Sequence, residues 1–206
     1  MTGSFDNFES NRSYEDRRAG DPFDDSHLTR RGWIRTSYNY ELPDGTLLYQ
    51  QNRYDHQRLA GDKKFLPSRP DGFHQYLFGV GERRVIYNWP AIMRAGPGAT
   101  VFVTEGEKNA KSLINAGLLA TTIISHKWTD ECVAALTGYD IIILEDHDND
   151  GKKLASIARD RLSKVARSIR VVPCTHLWSK LDVARAQGMS RQTTVMSTIG
   201  FITVAT

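Results

Sequence analysis

Residues 100–116, which read T-V-F-V-T-E-G-E-K-N-A-K-S-L-I-N-A, carry the clearest structural pattern of the chain. Its opening run of apolar and β-branched residues is typical of a short buried strand. Behind it, Ala110 and Leu113 recur at helical spacing, and Gly117 stands where such a helix ends. The stretch therefore predicts a strand, a sharp turn at Glu105, and a helix.

The same alternation continues towards the C-terminus. Further apolar runs occupy residues 119–124, 141–144 and 169–172, and helical patterns begin at Thr129 and cover residues 154–165. Buried strands that alternate with helices are typical of a parallel sheet. We therefore predict an α/β domain over residues 98–188, with a Rossmann-like, mostly parallel four-stranded sheet flanked by helices.

Acidic residues follow two of these strands. Glu105 comes directly after the first strand, and the third is followed by Asp146, Asp148 and Asp150. The carboxyl ends of parallel strands are the usual ligand site of such sheets. Clustered carboxylates favour a cation between them, and hard oxygen donors favour Mg²⁺ or Mn²⁺ over zinc. A calcium loop is the alternative for the aspartates, but its twelfth position, Ile157, lacks the required glutamate.

The N-terminal part differs in composition. Residues 1–30 carry seven acidic residues and four arginines, and they predict a largely disordered acidic leader. Residues 31–99 hold eleven of the twenty aromatic residues, and Asp44-Gly45 between two alternating runs predicts a hairpin. We expect a small β-rich, aromatic and basic subdomain over residues 31–97, with Pro90, Gly96, Pro97 and Gly98 as the boundary signals at its end, and a C-terminal tail over residues 189–206.

Basic and aromatic residues are interleaved in the β-rich segment, a pattern that suits single-stranded nucleic acid. The equally open alternative is that the aromatics fill a small core and the basic side chains form a solvated face. The candidate nucleic-acid contacts here are Arg53, Lys63, Lys64 and Arg84.

Composition limits the function classes. The 206 residues carry a formal net charge of +3, which neither requires nor excludes a nucleic-acid partner. Two cysteines, Cys132 and Cys174, are too few for a four-cysteine zinc site, so no zinc is expected. No run of 18 apolar residues and no signal peptide are found, so we expect a cytoplasmic protein without membrane contact.

Four motifs together resemble a Toprim domain, and most closely the Toprim segment of phage- and plasmid-type DNA primases. In chain order they are V-T-E-G-E-K-N-A at residues 103–110, A-T-T at residues 120–122, Lys127-Trp128, and D-x-D-x-x-G at residues 146–151. The resemblance covers about residues 98–188. It implies Mg²⁺-dependent phosphoryl transfer on nucleic acid, in the form of primer synthesis, with single-stranded DNA and a helicase or other replication or repair subunit as partners.

The resemblance also implies roles for single residues. Glu105 and Lys108 would be catalytic, Glu105 as the general acid/base and Lys108 near phosphate. Asp146 and Asp148 would bind the metal ion, and Asp150 would assist through a water or cap the next helix. Lys127 would neutralise a phosphate. A metal-dependent DNA nuclease and a non-catalytic nucleic-acid-binding or regulatory module remain alternatives, because the acids support synthesis and cleavage alike and the zinc module of replicative primases is missing.

Overall fold

The computed structural model describes residues 18–59 and 61–173. This part of the chain divides into two compact units, each built on one four-stranded sheet. Residues 18–39, 47–59 and 61–83 form the antiparallel unit, and residues 40–46 and 84–173 form the parallel unit. The first 17 residues of the expected leader, the last 15 residues of the segment assigned to 98–188, and the expected tail over residues 189–206 lie outside the described residues.

The antiparallel sheet contains β1 (Trp33–Glu41), β2 (Leu47–His56), β3 (Lys63–Pro70) and β4 (Tyr76–Phe78) in the order β1-β2-β3-β4. The hairpin predicted around Asp44-Gly45 is therefore confirmed. The last two residues of β1 belong to the parallel unit.

One face of the antiparallel sheet carries the core of its unit. Tyr54, Leu66 and Phe78 on this face pack with Leu28, and all four side chains are buried. The paired register places Arg53 opposite Phe65 and Asp55 opposite Lys63, on the other face of the sheet. Period-two alternation thus separates an aromatic core from a mixed, partly exposed surface.

Residues 18–30 differ from the expectation of a disordered leader. A short helix, α1 (Ser26–Thr29), places Leu28 in the core at 2% exposure, and Phe23 packs against the same cluster. The Asp25 carboxylate accepts hydrogen bonds from the Tyr54 hydroxyl at 2.7 Å and from Arg35 at 3.1 Å. Two apolar anchors and one paired carboxylate order this segment, although its overall composition is acidic.

The parallel unit follows the predicted alternation of strands and helices. Its elements are α2 (Trp89–Ala95), β5 (Thr100–Val103), α3 (Glu107–Asn115), β6 (Ala120–Thr121), α4 (Asp130–Ala134), β7 (Asp140–Glu145), α5 (Asn149–Leu162) and β8 (Ser168–Pro173). The strand order is β6-β5-β7-β8, with every pair parallel. The α/β class with a four-stranded parallel sheet flanked by helices is confirmed. Because the strand order reverses at β5, the carboxyl ends of β5 and β7 border the crevice where ligands usually bind in such sheets.

Helix α2 was not predicted, and it shifts the start of the parallel unit to Arg84 instead of the expected boundary after residue 97. The backbone N–H of Tyr87 donates to Thr122 O at 2.9 Å, and the Tyr139 hydroxyl donates to Ile92 O at 2.9 Å. These bonds attach the segment to the parallel sheet. Pro90, read as a boundary signal, lies in the first turn of α2, where proline is well tolerated.

Within the described residues, no helix combines the length and the apolar character needed to cross a membrane.

Candidate active site

Glu105 lies two residues beyond the end of β5, and hydroxyl groups hold the backbone around it. The Thr122 hydroxyl donates to the Glu105 carbonyl at 3.1 Å, and the Thr104 hydroxyl donates to the Gly106 carbonyl at 3.0 Å. Both threonines are buried, at 1% and 6% exposure. The turn that carries Glu105 is therefore anchored on both sides of the residue.

The carboxyl groups of Glu105 and Asp146 lie close enough to interact with each other. Burial raises the pKa of Glu105, and the charge of Asp146 raises it further. Asp148 adds a smaller contribution in the same direction, while His126 opposes the shift. The strand register explains why the two acids lie close together, because β5 and β7 are direct neighbours and Val103 pairs with Ile143. Two acids predicted to converge from separate strands do so.

The three aspartates after β7 have different positions. Asp146 is half-buried and faces Glu105, whereas Asp148 caps α5 by accepting a hydrogen bond from the Gly151 N–H at 2.7 Å. Asp150 is exposed in the first turn of the helix, where a negative charge is favourable. Of the two roles considered for Asp150, assistance through a water or capping of the helix, the capping role belongs to Asp148.

Gly151 permits the close approach of α5 to the loop that carries Asp146. A Cβ atom at this position would lie 2.7 Å from the Asp146 Cβ and 2.9 Å from the Asp146 carbonyl oxygen. Both separations are shorter than side chains tolerate without a shift of the neighbouring atoms. The glycine of the D-x-D-x-x-G motif therefore has a steric reason, which the sequence spacing alone did not reveal.

A small cavity lies under this site. Its volume of about 30 Å³ is enough for one or two water molecules. Glu105, Asp146 and His126 contribute its ionisable lining, and apolar side chains of β5, β7 and α5 form much of the remainder. Water can therefore reach the carboxyl pair at an otherwise apolar junction.

The lysines expected near phosphate lie outside this cavity. Lys108 is exposed in the first turn of α3, and Lys127 is exposed just after the turn at Ile124–His126. Neither lines the cavity. Their positions follow strand ends on the same edge of the parallel sheet, so both lie towards the end of the sheet that carries the acids.

The donor set bears on the expected metal ion. Among the residues that the structure describes, no group of three or more Asp, Glu, His or Cys side chains is arranged to hold a metal ion. The chemistry of the donors nevertheless fits Mg²⁺, which usually takes one or two protein carboxylates and completes its shell with water and substrate phosphates. Asp146 and Asp148 would hold it, with the second carboxylate oxygen of Asp148 free of the cap bond.

A buried carboxylate next to the site was missed in the sequence. Glu107, at 8% exposure, accepts a 2.7 Å hydrogen bond from the hydroxyl of Tyr40, which is fully buried. The Tyr40 ring also packs edge-on against Tyr87. The two residues are 67 positions apart in the sequence, so the pattern of residues at the start of α3 could not have revealed this bond. The contact fixes the helix residue two positions after Glu105.

The candidate nucleic-acid residues of the antiparallel unit lie on both faces of its sheet, Arg53 and Lys63 on one and Lys64 on the other. Arg53 forms two hydrogen bonds with Asp55, at 2.8 and 2.6 Å, and its guanidinium lies 5.7 Å from the Phe65 ring centre. Lys64 lies on the opposite face, with its ammonium 5.2 Å from the Trp33 ring centre, and Lys63 is exposed.

Arg84 belongs to the parallel unit, where its carbonyl accepts bonds from Thr129 and Cys132. The structure therefore places the candidate basic residues on several surfaces.

Comparison of the chain with protein-family models, with curated proteins and with solved structures finds no match.

Proposed function

We propose that the parallel unit is a Toprim-like domain that performs Mg²⁺-dependent phosphoryl transfer on nucleic acid, with primer synthesis as its reaction. The observation that supports this proposal most is the close approach of the Glu105 and Asp146 carboxyl groups at the carboxyl ends of adjacent parallel strands. A binding module has no need for two neighbouring acids, since like charges repel. A site that transfers protons and binds a cation does need them.

The environment of Glu105 suits a proton carrier. Burial and the neighbouring aspartate raise its pKa, which brings a carboxyl group closer to the range in which it both accepts and releases a proton. Thr122 and Thr104 keep its backbone in place. Glu105 would accept the proton of the attacking hydroxyl group.

Asp146 and Asp148 would hold Mg²⁺. When bound, Mg²⁺ neutralises the charge of the phosphoryl oxygens and of the leaving group. Lys108 and Lys127 would contact the phosphates of a single-stranded template. A helicase or another replication or repair subunit would deliver the template.

The test uses the full chain with single-stranded DNA, labelled nucleoside triphosphates and Mg²⁺ or Mn²⁺, and follows extension and degradation products together. We expect extension products from the wild type. Glu105→Gln and Asp146→Asn should reduce the rate by about 10²- to 10⁴-fold, the range for loss of acid–base catalysis. Asp160→Asn is the matched control, since this exposed aspartate on α5 pairs only locally with Arg159.

The outcomes separate the candidate functions. Degradation products that depend on Glu105 and Asp146 would show that the reaction is metal-dependent hydrolysis and not synthesis. Wild type and variants that bind DNA equally and form no product would exclude catalysis and leave a binding or regulatory module.

A further inference from the structure

The turn after β6 has an unusual backbone. Ser125 has φ +53° and ψ +24°, and His126 has φ +54°, so two successive residues with side chains adopt the left-handed conformation. In the described part of the chain only two other non-glycine residues, His74 and Asn88, have positive φ. Left-handed backbone is unfavourable for residues with a Cβ atom, and glycine would remove that penalty.

The strained turn lies at the candidate active site. It begins with Ile124, which is buried, and it follows Thr122, whose hydroxyl holds the Glu105 carbonyl. Strained backbone persists where the surrounding structure holds it, and it concentrates at functional sites. In this turn, the left-handed backbone determines where one side chain lies at the candidate active site.

That side chain is His126. Its ring lines the same cavity as Glu105 and Asp146, and it interacts electrostatically with Glu105. Among the described residues that line the cavity, His126 is the only basic one. The side chain is exposed, so a substrate can reach it.

The hydroxyl donors at the cavity are committed, which leaves the N–H groups of His126 and Trp128 as the side-chain donors of its described lining. The hydroxyl groups of Thr104 and Thr122 already donate to backbone carbonyls. The carboxyl groups of Glu105 and Asp146 would repel an approaching phosphate. A phosphate beside this pair therefore needs a donor from the protein as well as a cation, and an imidazole provides an N–H in either neutral tautomer.

We propose that His126 is a substrate-contacting residue of this site, and that its imidazole N–H donates a hydrogen bond to a phosphoryl oxygen of the bound nucleic acid next to Glu105. The inference rests on the proposed function for its substrate class. The left-handed turn positions the imidazole at the opening of the cavity.

The experiment compares two histidines that both have a positive φ angle. His126→Asn removes the imidazole and keeps a residue that tolerates left-handed backbone, and His126→Gly also removes the strain. His74→Asn and His74→Gly are the matched controls, because His74 has φ +74° and is exposed in the turn between β3 and β4. Each variant is assayed for Mg²⁺-dependent extension and degradation on single-stranded DNA, and its melting temperature is measured.

Both His126 variants should lose about 10- to 100-fold in rate, the value of one hydrogen bond to a charged group. His126→Gly should also melt about 2–4 °C higher than the wild type, because the turn is relaxed. The His74 variants should keep the wild-type rate. Gain of stability together with loss of activity would distinguish a functional imidazole from a structural one.

A binding measurement separates this inference from the proposed function. The imidazole ¹⁵N signals of the Glu105→Gln protein are followed by NMR while a 12-nucleotide oligothymidine and Mg²⁺ are added. A shift of the His126 signals, with those of His74 unchanged, supports the contact even if the wild type forms no product, in which case the proposed function alone fails. An active wild type with His126→Asn equally active overturns the inference alone. An inert wild type without any shift overturns both.

Discussion

The two units both bury polar side chains, and they do so in opposite ways. In the antiparallel unit, the fully buried Asn52 amide donates to Leu66 O and to the Ser68 hydroxyl, both at 2.9 Å, and accepts from the Ser37 hydroxyl at 2.7 Å. The network is neutral, and each polar atom of the Asn52 side chain has a partner. Satisfied groups of this kind rigidify a fold.

The parallel unit instead gathers like charges. The carboxyl groups of Glu105 and Asp146 approach each other at strand ends, with Asp148 close enough to act on the same pKa and a strained turn beside them. Such a site reduces stability until a cation or a proton neutralises it. The contrast predicts that substitutions should separate stability from activity according to the unit in which they fall.

The largest effect on stability is expected from Asn52→Ala. It removes three hydrogen bonds and leaves the Leu66 carbonyl and two serine hydroxyls without this partner, which should lower the free energy of unfolding by about 3 kcal/mol. Urea denaturation measures the change. Asn39→Ala, at an exposed site of the same sheet, should change it by less than about 0.5 kcal/mol. Equal effects of the two substitutions would contradict the assignment of Asn52 as the polar centre of this unit.

Gly151→Ala should come next, at about 2 kcal/mol of lost stability, because the new methyl group must displace the Asp146 loop. The sign of the change is informative, because replacing glycine with alanine at an unhindered helix position would raise the free energy of unfolding by about 1 kcal/mol. The rate of the Mg²⁺-dependent reaction should fall in parallel. Lys152→Ala, exposed on the same helix, serves as the control for stability. A more stable Gly151→Ala protein would show that the close contact is relieved at no cost.

Tyr40→Phe should cost about 1.5 kcal/mol, the value of a hydrogen bond to a charged group. Tyr139→Phe removes a bond to a neutral carbonyl at a similarly buried position and should cost less, about 1 kcal/mol. Thermal denaturation of both variants gives the comparison. A larger loss for Tyr139→Phe would mean that the Glu107 carboxyl does not depend on Tyr40.

The smallest effect, and one of opposite sign, is expected from Glu105→Gln. The pKa of Glu105 is raised in the folded protein, so the unfolded chain releases this proton more readily. The stability of the protein therefore falls as the pH rises from the ordinary glutamate pKa of 4.5 through the pKa of the folded state. Removing the charge should stabilise the protein by about 1 kcal/mol at neutral pH. The gain should vanish below the ordinary value, where wild-type Glu105 is protonated in both states.

Melting temperatures measured between pH 3 and pH 8 test this dependence, with Glu82→Gln, an exposed substitution in the antiparallel unit, as the control. A Glu105→Gln protein that is less stable at neutral pH would show that the glutamate is a structural partner, as Asn52 is, and would erase the contrast between the units.

Periodicity predicted much of the architecture. The apolar runs that begin at Thr100 and Ile141 and the helical pattern at Ala110 are local features, and each matches an observed strand or helix. Helix α2 was missed because Pro90 signals both a boundary and a first helical turn. The leader was misread in its last part because composition averages over Phe23 and Leu28, whose burial depends on partners far along the chain.

For the site, the acids at strand ends could be predicted, since residue type and the end of an apolar run are both local features. Which of these acids meet depends on the folded chain: Asp146 faces Glu105, Asp148 caps α5, and Asp150 faces solvent. The bond between Tyr40 and Glu107 and the turn that places His126 at the cavity depend on it too. None of these could be predicted locally, because strand order, side-chain direction and close contacts such as that of Gly151 arise from non-local packing, which has no period along the chain.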